Sequence, residues 1–221
     1  MSIHFQRDLE HLRKSILNLG AVVEESLSKA VQALLGRDDR QAQEVIGGDA
    51  AIDRAEIEVE EECLKILALY QPVAADLRFI VTVLKMNNDL ERMGDHAVNI
   101  AKRARYLARH DRLEWPPAVV EMAENVKSMV KKSLDALINA DGELARQVCC
   151  TDDVVDTQKR EIADILRSQL SQYPDQREAL LKMLDVPRHL ERIADLATNI
   201  AEDVVYMIEG SIIRHHHAEE S

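Results

Sequence analysis

Eight acidic side chains form four pairs with one spacing: Asp49 and Asp53, Glu91 and Asp95, Asp152 and Asp156, Glu191 and Asp195, each at i and i+4. On a helix of 3.6 residues per turn this spacing puts both carboxylates of a pair on one face. Like charges so placed repel by roughly 0.2–0.5 kcal/mol, and the repulsion calls for a cation. Donors that are all oxygen suit hard ions such as Mg²⁺, Ca²⁺, Mn²⁺ or ferric iron. One acidic pair on a charged helix is ordinarily a solvated face. Here the pairs are duplicated, and Ile52, Val98, Val155 and Ile200 adjoin the acidic rows, placing them at the edge of an apolar stripe. If the helices that carry two pairs are antiparallel neighbours, four carboxylates share one site. Arg92 and Arg192 are the rival explanation, as cations that could pair with the acids across the bundle.

Other chemistries lack their residues. His96 follows Asp95 directly and so points about 100° away from it, and Cys149 and Cys150 have no partner pattern for zinc. The Glu-x-x-His pairs of di-iron oxidase bundles are absent. There is no glycine-rich phosphate loop, no nucleophile elbow, and no Cys/His or Ser/His arrangement in a catalytic context. The expectation is a protein that is not an enzyme.

The elements that must position these acids are long helices. Leu9, Leu12, Ile16, Leu19, Val23, Leu27, Val31 and Leu34 recur at three- or four-residue intervals and predict a helix from Ile3 to Leu35, ended by Gly36. Asp38 or Asp39 caps a second helix that runs to Tyr70, with Gly47 and Gly48 inside it as a site for a local bend. Gln71-Pro72 breaks the chain, because a residue before proline is pushed out of the α region. A third helix, with Leu77, Ile80, Leu84, Leu90, Met93, Ala97 and Ile100 on its stripe, ends near His110. The linker 111–117 contains Trp115-Pro-Pro, a helix stop and restart. The plan then repeats as helices from Ala118 to Ile138, from Asp141 to Gln172, and from beyond Tyr173-Pro174 to Glu209, with Gly210 as the C-terminal cap. Pro187 either kinks this last helix or lies near its first turn.

The repetition is also literal. Leu90 to Ala101 returns as Leu190 to Ala201 with eight of twelve residues identical. Asp38, Ala42, Val45, Asp49 and Asp53 return 103 residues later as Asp141, Ala145, Val148, Asp152 and Asp156. The change of offset from 103 to 100 predicts a small length difference before the third helix of each half. The chain thus divides into a first three-helix bundle over residues 1–112, a second over 113–210, and a disordered tail over 211–221 in which His215 to His217 receive no role.

Composition agrees with an all-α fold. Aromatic residues make up 3% of the chain and glycine and proline number 7 and 5, too few for a sheet-rich protein. A net charge of −12 disfavours a nucleic-acid backbone, whose binding is driven by Lys and Arg, and suits metal ions or basic protein surfaces. Three cysteines without Cys-x-x-Cys spacing fit small buried hydrophobes in a reducing cytoplasm. There is no charged-then-apolar leader, and no apolar run approaches the roughly 20 residues of a membrane span, so a soluble cytoplasmic protein without membrane insertion is expected.

The Leu90-Glu-Arg-Met-Gly-Asp95 stretch with Asn99-Ile-Ala, its second copy at 190–201, Gln71-Pro72-x-x-x-Asp76-Leu-Arg78, and Gly48-Asp49-x-x-x-Asp53 together resemble the PhoU family of phosphate-transport regulators. The resemblance runs from about residue 5 to 210. It implies two tandem three-helix bundles related by pseudo-twofold symmetry, each able to hold an iron or other metal cluster through its paired acids, with Mg, Mn, Ca or Zn as other candidates. It further implies a homodimer or higher oligomer that negatively regulates phosphate uptake and phosphate-starvation signalling. The implied partners are the ATP-binding subunit of the phosphate ABC transporter and the phosphate sensor histidine kinase. One visible departure is Ala194, where the first copy carries Gly94. The same residues also admit a carboxylate-bundle metal-storage or redox protein, and a metal-free helical adaptor whose acids only pair with arginines.

Overall fold

The computed structural model describes residues 3–110 and 113–210 as six long helices: α1 (Ile3–Gly36), α2 (Asp39–Tyr70), α3 (Ala74–Ala108), α4 (Ala118–Asn139), α5 (Gly142–Gln172) and α6 (Arg177–Glu209). No strand occurs among the described residues. The start of the linker, the 112/113 boundary and the tail with His215 to His217 lie outside them.

Local chemistry explains the helix ends. The Asp38 carboxylate accepts from the Gln41 amide at 2.9 Å, and Asp141 does the same for Glu143 and Leu144, so the repeated aspartates are N-caps. Gly210 takes the left-handed conformation after α6, as its position predicts. At the end of α1 the expectation is corrected: Gly36 remains helical and the left-handed residue is Arg37, matched after α4 by Ala140. The chain makes its turn there to enter the aspartate cap, and the turn's register outweighs glycine's conformational advantage. The helix α2 continues unbroken through Gly47 and Gly48. Pro187 lies well inside α6 and is buried, which excludes a first-turn position. The change of repeat offset is also resolved. A 3₁₀ turn, Pro174–Gln176, stands where the first turn of α3 stands, after a connection two residues shorter and a helix one residue shorter than in the first half.

Each half packs as a triangle of antiparallel helices, and the halves join mainly through α3 against α6, with a smaller contact of α1 with α4. Among the described residues α2 and α5 pack only within their own halves. Burial follows this order. Sixteen residues are buried on each of α3 and α6 but six on each of α2 and α5, so the former are inner helices and the latter outer ones. One continuous apolar core therefore runs through both halves. Met86, Leu90, Met93 and Ile193 in the seam are fully buried, each contributing about 1.5–3 kcal/mol relative to exposure. The single-stripe reading of α3 is corrected accordingly: Leu77, placed on the stripe, is 40% exposed, while Phe79, Val83 and Met86 off it are buried because α3 meets neighbours on several sides.

Along the seam the partners on α6 fall in number as those on α3 rise. Arg78 donates to the Met207 carbonyl, Lys85 pairs with Asp203 at 3.1 Å, His96 meets His189, and Arg103 pairs with Asp185 at 3.0 Å. This register brings Met93 opposite Ile193, so the repeated motif lies at the pseudo-twofold centre of the molecule. The two ion pairs are images of one another in position, since 85 matches 185 and 103 matches 203. Their charges are exchanged, with both bases on α3 and both acids on α6.

The glycine-to-alanine departure has a packing cause. A Cβ on Gly94 would stand 2.9 Å from Ile52 Cδ1 and 3.3 Å from its Cγ2. The second half replaces Ile52 by Val155 and Gly94 by Ala194, moving bulk from one helix to the other. Gly94→Ala should therefore show no net stabilisation, because overpacking of about 1–3 kcal/mol cancels a helix-propensity gain of about 1 kcal/mol. In an Ile52→Val background the same change should stabilise, with a coupling of about 1 kcal/mol in a urea-denaturation double-mutant cycle.

Candidate metal centre

The helices α2 and α3 run antiparallel, as Asn87 to Glu56 and Arg105 to Gln43 contacts show. This brings the first two acidic pairs to facing sides of one groove. The consequence is electrostatic. Burial first, and then the carboxylates of Asp53 and Asp95, hold the Asp49 carboxyl above its usual range. Glu91 is raised by burial and by Asp95, Asp53, Glu56 and Asp49. In the second half burial, followed by Asp195, Asp156, Asp153 and Glu191, pushes Asp152 up to about 6. Asp195 is raised by burial and Glu191, against the opposing pull of Arg192. All eight predicted residues thus lie in two groups, one between α2 and α3 and one between α5 and α6. Among the described residues no three His, Cys, Asp or Glu side chains are arranged so as to hold a metal ion. The carboxylates face one another without forming a closed ligand shell.

The groups differ in how their charge is balanced. In the second, Lys159 Nζ lies 2.8 Å from Glu191 Oε1 and 3.8 Å from Asp156 Oδ1. Arg160 reaches Asp156, and Arg192 reaches both Glu191 and Asp195. In the first, Asp49, Asp53, Glu91 and Asp95 have no ion pair among the described residues, and Lys102 acts on Asp49 only as the smallest influence on it. Arg92 instead pairs with Asp89 on its own helix at 3.8 Å. Neither Arg92 nor Arg192 bridges the bundle, which corrects the expectation of cross-bundle pairing: each is an exposed residue that folds back along its own helix.

Three contributors escaped sequence reading. Glu56 lies on α2 beside the first group, raised by burial, Glu60 and Asp53. Asn87, 1% exposed, donates to the Glu56 carbonyl at 2.8 Å and to Glu56 Oε1 at 3.1 Å, while its Oδ1 is buried without a donor. An unmet buried acceptor costs about 1–3 kcal/mol. Lys159 is the third. The available signal was comparison of aligned positions at the two repeat offsets, rather than a search for shared residues.

His96 and His189 place their Nδ1 atoms 3.2 Å apart across the seam. Burial lowers both, carrying His189 down to about 4. Burial thus favours the neutral form of each ring.

The PhoU domain family matches residues 16–104 and 119–204. The chain belongs to the PhoU family. It is 39% identical over 214 residues to the phosphate-specific transport system accessory protein PhoU homologue of Aquifex aeolicus, covering 97% of each chain. It is 36% identical over 207 residues to the homologue of Clostridium acetobutylicum, covering 93% of this chain and 94% of that one. The crystal structure of PhoU from Pseudomonas aeruginosa superposes with a TM-score of 0.89 at 37% identity, covering 94% of this chain and all of that chain. The phosphate transport system regulatory protein PhoU of Streptococcus pneumoniae gives 0.87 at 31%, covering 95% of this chain and 99% of that one. No helix among the described residues is long and apolar enough to cross a membrane.

The raised Asp152 has a pH signature. The folded side chain keeps its proton to about pH 6, whereas the unfolded one loses it near 3.8. Between those values the folded state binds more protons, so stability falls as pH rises and the penalty is complete above about 6. In chelator, Asp152→Asn should raise the melting temperature at pH 7.5 by roughly 2–4 °C, the effect of about 1 kcal/mol in a chain of this size. It should change nothing below pH 4, as parallel thermal melts would show.

Proposed function

We propose that this chain is a cytoplasmic negative regulator of phosphate uptake and phosphate-starvation signalling that acts by protein contact. The observation carrying this reading is end-to-end similarity to relatives named phosphate-specific transport system accessory proteins, in a six-helix fold shared with PhoU structures. Its partners are the ATP-binding subunit of the phosphate ABC transporter and the phosphate sensor histidine kinase, and it works as a homodimer or larger oligomer. A net charge of −12 and long helices with acidic outer faces supply a surface suited to basic patches on such partners. Regulation without catalysis fits a sequence with no glycine-rich phosphate loop, no nucleophile elbow, and no Cys/His or Ser/His arrangement in a catalytic context.

Asp49, Asp53, Glu91 and Asp95, with Asp152, Asp156, Glu191 and Asp195, are the oxygen donors available to a hard cation, iron first by family resemblance. A bound cation would relieve the repulsion that raises Asp49, Glu91, Asp152 and Asp195. These carboxylates hold the outer helices α2 and α5 against the inner pair when their charge is neutralised, and so set the surface shown to partners.

Deleting the gene should switch on a phosphate-starvation reporter in phosphate-rich medium, and restoring the chain should silence it. A reporter that stays repressed after deletion overturns the regulator reading. The metal reading is checked separately by circular-dichroism melts, in which chelator should lower the melting temperature of protein loaded with metal. Identical melts with intact partner binding would remove metal from the mechanism.

A further inference from the structure

Helix α2 turns a patterned face to solvent as well as one to the core. Residues 47, 50, 54, 57, 61, 64 and 68 follow one another at alternating intervals of three and four, the spacing of a seam along which two helices pack. All seven are exposed, on the side of the helix opposite the buried Ile52, Val59 and Ile66. Ile57 is 51% exposed and Leu64 54%, and among the described residues the helix packs only within its own half. The fold itself does not require such a face. At the offset of 103, the positions of α5 from 50 onward carry Asp153, Thr157, Arg160, Asp164, Arg167 and Ser171. There each arginine pairs along its own helix, Arg160 with Asp156 and Arg167 with Asp164. On α2, by contrast, Arg54 and Glu61 have no ion pair among the described residues. Gly47 is likewise unexplained by packing within the chain, since a Cβ there would meet nothing within 4 Å, although glycine inside a helix is unfavourable relative to alanine.

We propose that this face binds the same face of a second copy of the chain, as an antiparallel pair of α2 helices about a twofold axis beside Ile57. The inference rests on the oligomer reading above and assigns it a surface. In a twofold pair each contact occurs twice with the roles exchanged. An axis at Ile57 sets Arg54 opposite Glu61 of the second copy and Glu61 opposite its Arg54, two ion pairs where the single chain has none. It sets Leu64 against the small Ala50 and Gly47 against Ala68, so bulk on one helix meets space on the other, while the two Ile57 side chains meet at the axis. The contact runs along about 32 Å of helix. A parallel pair would place Arg54 against Arg54 and Glu61 against Glu61, which like charge disfavours. Asp53 and Glu60 lie along one edge of the face and repel their copies, which keeps the association weak and reversible.

Sedimentation velocity of the full chain over a range of concentrations tests this. Wild type should pass from the mass of the 25.0 kDa chain to twice that mass as concentration rises. Ile57→Ser together with Leu64→Ser should weaken association by about tenfold or more. Gly47→Gln should weaken it in the same direction without lowering the melting temperature, because its side chain enters open space in the single chain. Arg54→Glu and Glu61→Arg should each weaken association several-fold, and the two combined should restore it. Arg167→Ser, on the corresponding face of α5, should change nothing. Circular-dichroism melts establish that each variant is folded. A dimer that survives the α2 variants overturns this surface while the oligomer reading stands. Loss in both single charge variants without recovery in the double overturns the pairing of α2 with itself, and weakening by Arg167→Ser overturns it in favour of α5 as the face that α2 meets. A wild type that stays monomeric at every concentration removes the surface and the oligomer reading together, while the regulator reading is still decided by the reporter assay.

Discussion

Everything in this molecule depends on the antiparallel seam of α3 and α6. These helices are buried on several sides, carry the repeated motif at their crossing, and unite two triangles into one apolar core. The seam is selective as well as apolar. Bases on α3 meet acids on α6 at both symmetry-related positions, with the Asp203 side chain only 3% exposed beneath Lys85. Two copies of α3 in the same register would bring Lys85 against Arg103, and two of α6 would oppose Asp185 and Asp203. Like charges in those places disfavour either half pairing with its own kind, and the pseudo-twofold symmetry holds in position but not in charge.

The inner helices must therefore satisfy two demands. One side of the crossing is packed by Met93 and Ile193, and the flanks of the same turns hold Glu91, Asp95, Glu191 and Asp195 toward the outer helices. Shape fixes how near those outer helices come. The Ile52 and Gly94 pairing in one half, and Val155 and Ala194 in the other, are two solutions to the same close approach. Charge then works against that approach, since each outer helix brings its own acids to the groove. The first half leaves the repulsion without a paired base among the described residues, and the second offsets it with Lys159, Arg160 and Arg192.

A regulatory protein benefits from such a balance. The core is over-determined by apolar burial, whereas α2 and α5 have few buried residues and no packing outside their own halves among the described residues.

Much of this was legible in the residues alone. Apolar periodicity located the six helices, the aspartates at 38 and 39 marked one N-cap, and the motif at Leu90 to Ala101 was seen to recur, because each of these signals is local to a turn or two of chain. The acidic pairs were legible for the same reason. What the sequence could not determine was which helices are inner and who neighbours whom across a groove. Leu77 belongs to the local period and yet is exposed, and Asn87 looks like an ordinary polar residue and yet is buried with an unmet oxygen. The contrast between Glu56 and Lys159 acquires meaning only when α2 meets α3 and α5 meets α6. Those contacts join residues about thirty positions apart, and they are set by the depth and register of helix packing, which no single helix encodes.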